Sequence, residues 1–447
     1  MQARRQCTLT GPREHPARIA NARAVAALLA SLVVAVLAFL LADAAARGPH
    51  FNPDESRWLS RAHYLAALTD PFGPTWADQY MTRGQPPLGS YAMGAGLLAH
   101  NRDLATNPPW DFSIPWEENI ALGHKPAPAD LGAGRRTSAA LVALTTLAII
   151  GVARAYVGMS WAIAAGALFA VHPFTVYIGS IAMSDALFGL LIVLAAWASA
   201  AFARRPNGAR AMLAGVLLGL GGATKLSPLA VAAGLSAGGV LIYVVATVRR
   251  RQIARREAAY AQWGLLLGLA ALVTFVAAYP YLWPDPVGRT GHLFVFRVEE
   301  MAAQSSDWPV MAVPNRLEAL RRVNLNFTER FSLSATLAGG LGNRSAPALV
   351  RQVDVLIAVA GVAIMIGMAA RDGPYSPRAL ALAVLGGQVG VTILGMRSEF
   401  DRYHLPMALL GAVAAAVALQ WLAQRALATL REKGRPALSG SEARARI

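Results

Sequence analysis

Residues 22–43 read ARAVAALLASLVVAVLAFLLAD, and the chain continues with FNPDES at 51–56. The first stretch is apolar over about the 20 residues that a helix needs to cross a bilayer. Apolar runs of this length recur along the 447 residues, of which 55% are hydrophobic and 15% are charged. A soluble domain carries roughly a quarter charged residues. The composition therefore predicts an all-α polytopic membrane protein.

The apolar runs divide the chain into spans, loops and tails. We predict about ten transmembrane helices, at 22–43, 135–153, 159–178, 184–202, 210–223, 227–248, 262–281, 352–370, 378–396 and 405–423. The predicted parts are a basic tail (1–21), a transmembrane catalytic module (22–281) that includes an outer loop (44–134), a second outer loop (282–351), C-terminal helices (352–423) and a basic tail (424–447). No internal repeat is evident, which disfavours an inverted-repeat transporter.

The formal net charge of +16 follows this topology. With the N-terminus in the cytoplasm, the cytoplasmic segments hold 22 Lys and Arg against 5 Asp and Glu, and the rest of the chain holds 19 against 20. This is the positive-inside distribution, and it places both termini in the cytoplasm. The basic run 249–256 is then expected to touch anionic lipid. We expect no nucleic-acid partner, because no aromatic or motif context accompanies the charges.

The N-terminal region bears on processing and on cysteine chemistry. Cys7 is the only cysteine, which excludes an intrachain disulfide and a cysteine-based metal site. Ala44–Ala46 mimics a signal-peptide cleavage site, but the apolar stretch before it is longer than a usual signal peptide contains. We therefore expect a retained first helix.

The first outer loop contains two segments that suit helices on the membrane surface. Ser56–Leu68 can place Trp58 and other apolar side chains on one side, with Arg57 and Arg61 toward lipid headgroups. Leu88–Ala99 is apolar, follows two prolines and is too short to span the bilayer. We therefore predict two interfacial helices in this loop.

Asp54 and Glu55 form an acidic pair just beyond the first span. Charges near the bilayer are costly unless they are solvated or used. One interpretation is structural, in which Asp54 caps a helix that begins near Glu55, after Asn52-Pro53. The other interpretation makes the carboxylate a general base that takes the proton of an acceptor hydroxyl. The residues alone leave both open.

Two further candidates lie at predicted outer helix ends. Ser184 and Asp185 suit a helix N-terminus, or Asp185 provides a second carboxylate that holds an acceptor, a sugar or a divalent cation together with Asp54. Lys225, in the Thr224-Lys225 connection, opposes the positive-inside tendency. It is either a snorkelling lysine or a counter-ion for a phosphate.

The remaining candidates are cations and turns on the same face. Arg402 and Tyr403 could bind a phosphate or sugar, or Arg402 could form a local ion pair with Asp401. Gln85 begins a rigid Gln-Pro-Pro-Leu corner, and Arg83 beside it could pair with phosphate or sit among headgroups. The chain has no GxxxxGK[ST], GxGxxG or HExxH motif, so a nucleotide sugar is not the expected donor.

The order of these motifs resembles the GT-C class of glycosyltransferases that use polyprenyl-phosphate sugars. The similarity is closest to bacterial protein O-mannosyltransferases and lipid A aminoarabinose transferases. Five features carry it, namely Asp54-Glu55, Pro86-Pro87-Leu88, Ser184-Asp185, Thr224-Lys225 and RYHLP at 402–406. The family often has Lys or His before the PPL motif, where this chain has Gln85.

The resemblance implies an inverting transfer at the outer face, with Asp54 as the catalytic base. The implied donor is a polyprenyl-phosphate sugar, the acceptor is a lipid, glycan or protein, and the location is a bacterial inner or plasma membrane. The assigned roles are catalysis by Asp54 and Glu55, substrate positioning by Ser184, Asp185 and Tyr403, and donor-phosphate binding by Lys225, Arg402, Arg83 and Gln85. No cofactor is certain, and a divalent metal ion at Asp54 and Asp185 stays open.

Two other classes of function are compatible with a helical bundle. A transporter or lipid flippase needs a midplane site with alternating access, whereas the charges here are predicted at one outer face. A non-catalytic scaffold would fill the outer cavity with side chains. Convergence of Asp54, Asp185, Lys225 and Arg402 on one cavity would favour the enzyme.

Overall fold

The computed structural model describes residues 14–48, 51–340 and 347–433. Cys7 and most residues of the two basic tails lie outside these ranges, as do the predictions made for them. The first part of the chain forms α1 Glu14–Ala46, α2 Pro53–Ser60, α3 Tyr80–Gly84, α4 Leu88–Ala99, α5 Trp116–Ala121 and α6 Pro128–Ala153. Next come α7 Met159–Val171, α8 Pro173–Gly179, α9 Asp185–Arg204, α10 Gly208–Gly222, α11 Ser227–Arg250 and α12 Arg255–Ala277. The last part forms α13 Pro286–Asp307, α14 Arg316–Leu325, α15 Leu333–Gly340, α16 Ala348–Asp372, α17 Pro377–Gly395 and α18 Leu405–Lys433.

Short helical turns join several of these helices. They are 3₁₀ turns at Arg61–Tyr64, Ala66–Thr69, Pro74–Trp76, Pro280–Leu282, Pro309–Met311 and Asp401–His404, and a π-helical turn at Asn326–Arg330. One isolated β-bridge pairs Ala312 with Ser398. The predicted all-α class is therefore confirmed for the described residues.

The helices confirm a multi-pass membrane protein but not the count of ten spans. Eight helices in the described part of the chain are long and apolar enough to cross a bilayer. The predicted third span is a bent pair, because α7 and α8 meet at 65° around His172 and Pro173. The predicted fifth span is α10, an apolar helix of only 15 residues.

Small residues hold the short helix α10 inside the bundle. Gly215 and Gly219 lie four residues apart, and a methyl group on them would come within 2.3 Å of the Leu267 carbonyl oxygen and 2.4 Å of the Ala271 carbonyl oxygen. Such a small-xxx-small pattern lets two backbones pack closely where lipid offers no hydrophobic driving force. Helix α10 therefore packs tightly against α12.

The first outer loop is folded onto the bundle. Leu88–Ala99 is helical as predicted, but the predicted helix Ser56–Leu68 is α2 followed by two 3₁₀ turns. Trp58 and Leu59, predicted to face lipid, are buried against α4 and α6. Arg61, predicted to face headgroups, is 3% exposed. The loop thus packs these side chains inside the protein, and an interfacial position for the two segments is not confirmed.

Candidate active site

The start of α2 separates the two acidic residues. Asn52 caps the helix, because its side-chain oxygen accepts the Asp54 amide at 3.0 Å and its amide donates to Glu55 Oε2 at 3.0 Å. Pro53 fits the first helical position, where a missing N–H costs nothing. The structural interpretation of Asp54 as the cap is therefore wrong, and the side chain of Asp54 is free for another role.

Glu55 is a fully buried structural partner. Its oxygens accept hydrogen bonds from Arg135 Nε and Nη2, both at 2.8 Å, and from the Ala182 amide at 2.8 Å. The side chain is 0% exposed. With the Asn52 amide, these donors occupy both oxygens of the carboxylate. We therefore replace the predicted catalytic role of Glu55 with a structural one, which joins α2 to α6 and to the segment before α9.

Asp54 faces the last span. Its Oδ2 accepts a hydrogen bond from Arg402 Nη1 at 2.5 Å, and both side chains are about one-fifth exposed. The Arg402 guanidinium also lies over the rings of Phe400 and Tyr403, at 4.7 Å and 5.6 Å from their centroids. A charge-assisted hydrogen bond of this kind is shorter and stronger than a neutral one, and it joins α2 to the start of the last span.

Asp185 and Lys225 form the second ion pair of the site. Lys225 Nζ donates to Asp185 Oδ1 and lies 5.4 Å from the Phe188 ring and 5.5 Å from the Tyr403 ring. Burial lowers the pKa of Lys225, and the charge of Asp185 opposes that effect. Ser184 precedes α9, but its buried hydroxyl caps no backbone amide and has no hydrogen-bond partner.

The two ion pairs belong to one cluster. Tyr403 contacts both pairs, since Lys225 Nζ lies 5.5 Å and Arg402 Cζ lies 5.6 Å from the centroid of its ring. The Tyr177 hydroxyl lies within electrostatic range of Asp54, Asp185 and Arg402. Five predicted residues, Asp54, Asp185, Lys225, Arg402 and Tyr403, therefore converge, although Asp54 and Arg402 are 348 positions apart in the sequence.

The Pro-Pro-Leu corner borders this cluster, but Arg83 and Gln85 have other partners. The Leu88 amide donates to the Ala223 carbonyl oxygen at 2.9 Å, which ties the corner to the Thr224-Lys225 turn. Arg83 lies 3.1 Å from Asp78. Gln85 accepts two hydrogen bonds from Arg61, at 3.0 Å each. Neither side chain contacts the two ion pairs.

The donor set of the cluster does not suit a metal ion. Among the described residues, no group of three or more His, Cys, Asp or Glu is placed to hold one. Asp54 and Asp185 are the carboxylates in question, and each already binds a cationic side chain. The positive charges of Arg402 and Lys225 next to these two carboxylates disfavour a divalent cation, so we derive no step through a metal.

Two arginines near the site did not emerge from the sequence patterns. Arg135 holds Glu55 and also donates to the Ala46 carbonyl oxygen at 2.7 Å. An arginine in an apolar segment requires a buried partner, so the position of Arg135 in the sequence could have indicated such a partner. Arg297, from the second outer loop, donates to the Gly84 carbonyl oxygen at 3.0 Å. Its positive charge lowers the pKa of Lys225. Nothing in its local sequence indicates this position.

Residues 120–278 match the family model described as dolichyl-phosphate-mannose-protein mannosyltransferase. No curated protein matches the sequence at a significant level. The apo oligosaccharyltransferase of Archaeoglobus fulgidus is similar in structure, with a TM-score of 0.53, 13% identity, and coverage of 92% of this chain and 53% of that one. ArnT from Cupriavidus metallidurans, bound to undecaprenyl phosphate, has a TM-score of 0.50 and 17% identity over 88% of this chain and 60% of its own.

The chain thus spans just over half the length of the solved structures that it resembles. At these identities the likeness concerns the fold. It confirms the fold that the resemblance implied. The chain has the fold of the GT-C glycosyltransferases.

Proposed function

We propose that the chain transfers a sugar from a polyprenyl-phosphate donor to a hydroxyl group of an extracytoplasmic acceptor, with inversion at the sugar carbon. The observation that carries this proposal is the cluster of two carboxylates and two cations around Tyr403. A base for the acceptor and positive charge for a leaving phosphate are the two groups that such a transfer requires. The family match and the fold support it.

Asp54 is the proposed base. Its ionised oxygen takes the proton of the acceptor hydroxyl as the acceptor oxygen attacks the anomeric carbon. The bond from that carbon to the phosphate oxygen breaks at the same time, and the electron pair leaves with the polyprenyl phosphate. Attack from the face opposite the leaving group inverts the configuration. Asp185 and Tyr403 border the same space and position the substrates.

Arg402 and Lys225 are the proposed partners of the donor phosphate. Each is bound to a carboxylate, so the site is neutral overall before a donor arrives. A phosphate that accepts hydrogen bonds from Arg402 competes with Asp54 for the guanidinium. Donor binding would thereby release the Asp54 carboxylate to accept a proton, which orders the two steps of the reaction.

The location follows from the charge distribution and the resemblance. We infer a bacterial inner or plasma membrane, with the termini in the cytoplasm and the cluster at the outer face, because the basic segments fall on the opposite side. The acceptor is a lipid, glycan or protein that presents a hydroxyl group at that face. The two outer loops provide the surfaces next to the cluster.

The test compares cells that lack the protein with cells that carry the wild type, Asp54→Asn or Asp103→Asn. Mass spectrometry of envelope lipids, glycans and proteins should show one sugar that is lost without the protein and restored by the wild type. Asp103→Asn, an exposed change in the same loop, should restore it as well. Asp54→Asn should not, although the variant is present in the membrane at the wild-type level.

Two results would contradict this assignment. Restoration of the sugar by Asp54→Asn would show that Asp54 is not the base. Unchanged envelope composition in cells without the protein, under conditions where the wild type is abundant, would argue against sugar transfer. The anomeric configuration of the transferred sugar, compared with that of the donor, tests inversion separately.

A further inference from the structure

Arg61 is a buried cation without a carboxylate partner. It is 3% exposed, and the described residues place no carboxylate oxygen within 4.0 Å of its guanidinium. Its guanidinium donates to two neutral oxygens of Gln85, and its Nε has no hydrogen-bond partner. A guanidinium has five N–H donors, so most of this donor set is unused.

The described side chains around Arg61 supply aromatic faces and a second cation, but no counter-ion. Its guanidinium lies over the rings of Trp58 and Tyr64, at 4.9 Å and 5.5 Å. Arg57, one helical turn earlier, also has neutral partners, the Trp110 carbonyl oxygen and the Tyr80 hydroxyl. Burial lowers the pKa of Arg61, the Tyr64 and Tyr279 hydroxyls oppose this effect, and the charge of Arg57 adds to it. An uncompensated buried charge is costly in a folded protein.

A cavity of about 650 Å³ opens beside this arginine in the first outer loop. Ser60, Arg61, His63, Gln79 and Asn107 are among the residues that line it, and none of its lining residues is Asp or Glu. The lining therefore offers the Arg61 guanidinium, several hydrogen-bond donors and no carboxylate. None of the residues of the ion-pair cluster lines this cavity.

We propose that this cavity is a binding site for an anionic group, a phosphate or a carboxylate, and that Arg61 is its principal ligand. An oxyanion would accept hydrogen bonds from the unused N–H groups of Arg61 and would neutralise its buried charge. The group could come from a water-soluble molecule or from a lipid headgroup, since both carry the same oxyanion. The site is separate from the proposed donor site and does not depend on sugar transfer.

The test is ligand-dependent stabilisation of the full chain in nanodiscs, because a ligand that binds the folded state raises the melting temperature. One arm adds inorganic phosphate to phosphatidylcholine nanodiscs at constant ionic strength. The other arm omits phosphate and replaces part of the lipid with phosphatidylglycerol. We expect a saturable rise in one arm, and the arm in which it occurs identifies the source of the anion.

The rise must depend on Arg61. It should vanish in Arg61→Gln and persist, with a higher half-saturating concentration, in Arg61→Lys. Arg102→Gln is the matched control, since Arg102 is in the same loop but lies 2.6 Å from Asp130, and it should behave like the wild type. If Arg61→Gln does not fold, the comparison of Arg61→Lys with the wild type decides. An adventitious ion only, seen as an equal rise in all variants, or no rise in either arm would overturn the proposal.

Discussion

At the scale of single residues, the two neighbouring carboxylates differ because they share a helix. Consecutive helical residues project about 100° apart, so Glu55 points into the bundle toward Arg135 while Asp54 points toward Arg402. Asn52 performs the capping that would otherwise occupy Asp54. The sequence could show that two acids were present and that a helix began there. Only the orientation of α2 could assign their separate roles.

Loss of the Glu55 charge should destabilise the protein without removing an acid from the reaction. Glu55→Gln leaves Arg135 buried without its counter-ion, which we expect to cost about 3–5 kcal/mol of unfolding free energy. Thermal unfolding in detergent measures the loss. Replacing both residues with methionine should recover much of it, because an apolar pair leaves no uncompensated charge.

A loss of turnover without a loss of stability would contradict this structural role of Glu55. If Glu55→Gln retained the wild-type melting temperature and lost turnover per folded molecule, Glu55 would belong to the chemistry after all. Arg102→Gln is a suitable control for stability, since its ion pair with Asp130 is partly exposed. We expect a smaller loss of stability for this change than for Glu55→Gln, because the Arg102 side chain is 39% exposed.

Lys225 should give donor binding an alkaline limit. The ammonium attracts the donor phosphate below its pKa, and this attraction is lost as the pH rises through that pKa. Because burial lowers the pKa of Lys225 from its usual 10.5, donor affinity should begin to fall at a lower pH than for an exposed lysine. Donor titrations across the alkaline range measure this fall.

Lys225→Arg provides the comparison, since arginine stays protonated throughout this range. Its donor affinity at neutral pH should be lower, because the longer planar group fits the Asp185 contact differently, but it should decline less as the pH rises. A wild-type affinity that is constant up to the pH at which the protein unfolds would remove Lys225 from phosphate binding.

At the scale of elements, the sequence predicts best where a helix is bounded by local signals. Leu88–Ala99 has the predicted bounds because two prolines precede an apolar run. The helix predicted over Ser56–Leu68 instead breaks after Ser60 into 3₁₀ turns. Its apolar side was predicted to face lipid, but α4 and α6 cover Trp58 and Leu59. An amphipathic pattern does not distinguish lipid from a neighbouring helix as the apolar partner.

Gly89 should fix the distance between α4 and the start of α9. A methyl group at this position would lie 2.4 Å from Ser184 Cβ and 2.7 Å from the Trp58 ring, closer than any real contact. Gly89→Ala should therefore push α4 away from α2 and α9, which carry Asp54 and Asp185. We expect lower turnover together with lower thermal stability, measured on the same purified variant.

Gly132→Ala is the matched control for this change. Gly132 lies in α6, and a methyl group there would meet no atom within 4 Å. This change should preserve turnover and raise stability by about 0.5–1 kcal/mol, because alanine favours a helix over glycine. Wild-type turnover in Gly89→Ala would mean that the contact of α4 with α9 does not position the carboxylates.

At the scale of the whole molecule, hydropathy was sufficient for the class and insufficient for the details. Eight predicted spans correspond to helices of spanning length. The bend at His172 had a signal, since the residue before Pro173 disfavours the helical conformation. The glycines of α10 were a weaker signal that this helix is short. No sequence signal predicted that Asp54 and Arg402 would meet, because no local pattern links residues 348 positions apart.

The charge distribution indicates which side of the membrane each loop occupies. The segments proposed to be cytoplasmic carry 22 Lys and Arg against 5 Asp and Glu, and positive segments near spans are retained inside. Cys7 is the only cysteine of the chain, so it reports the side of the N-terminus. A membrane-impermeant maleimide should label it in inverted vesicles and not in intact cells or spheroplasts.

Glu117→Cys in a Cys7→Ser background supplies the opposite report, because Glu117 is exposed in the first outer loop. This variant should react in spheroplasts and be protected in inverted vesicles. Labelling of Cys7 from outside would invert the whole arrangement and place the Asp54 cluster at the cytoplasmic face. The acceptor would then be cytoplasmic, although the ion pairs and the proposed transfer chemistry would stay as they are.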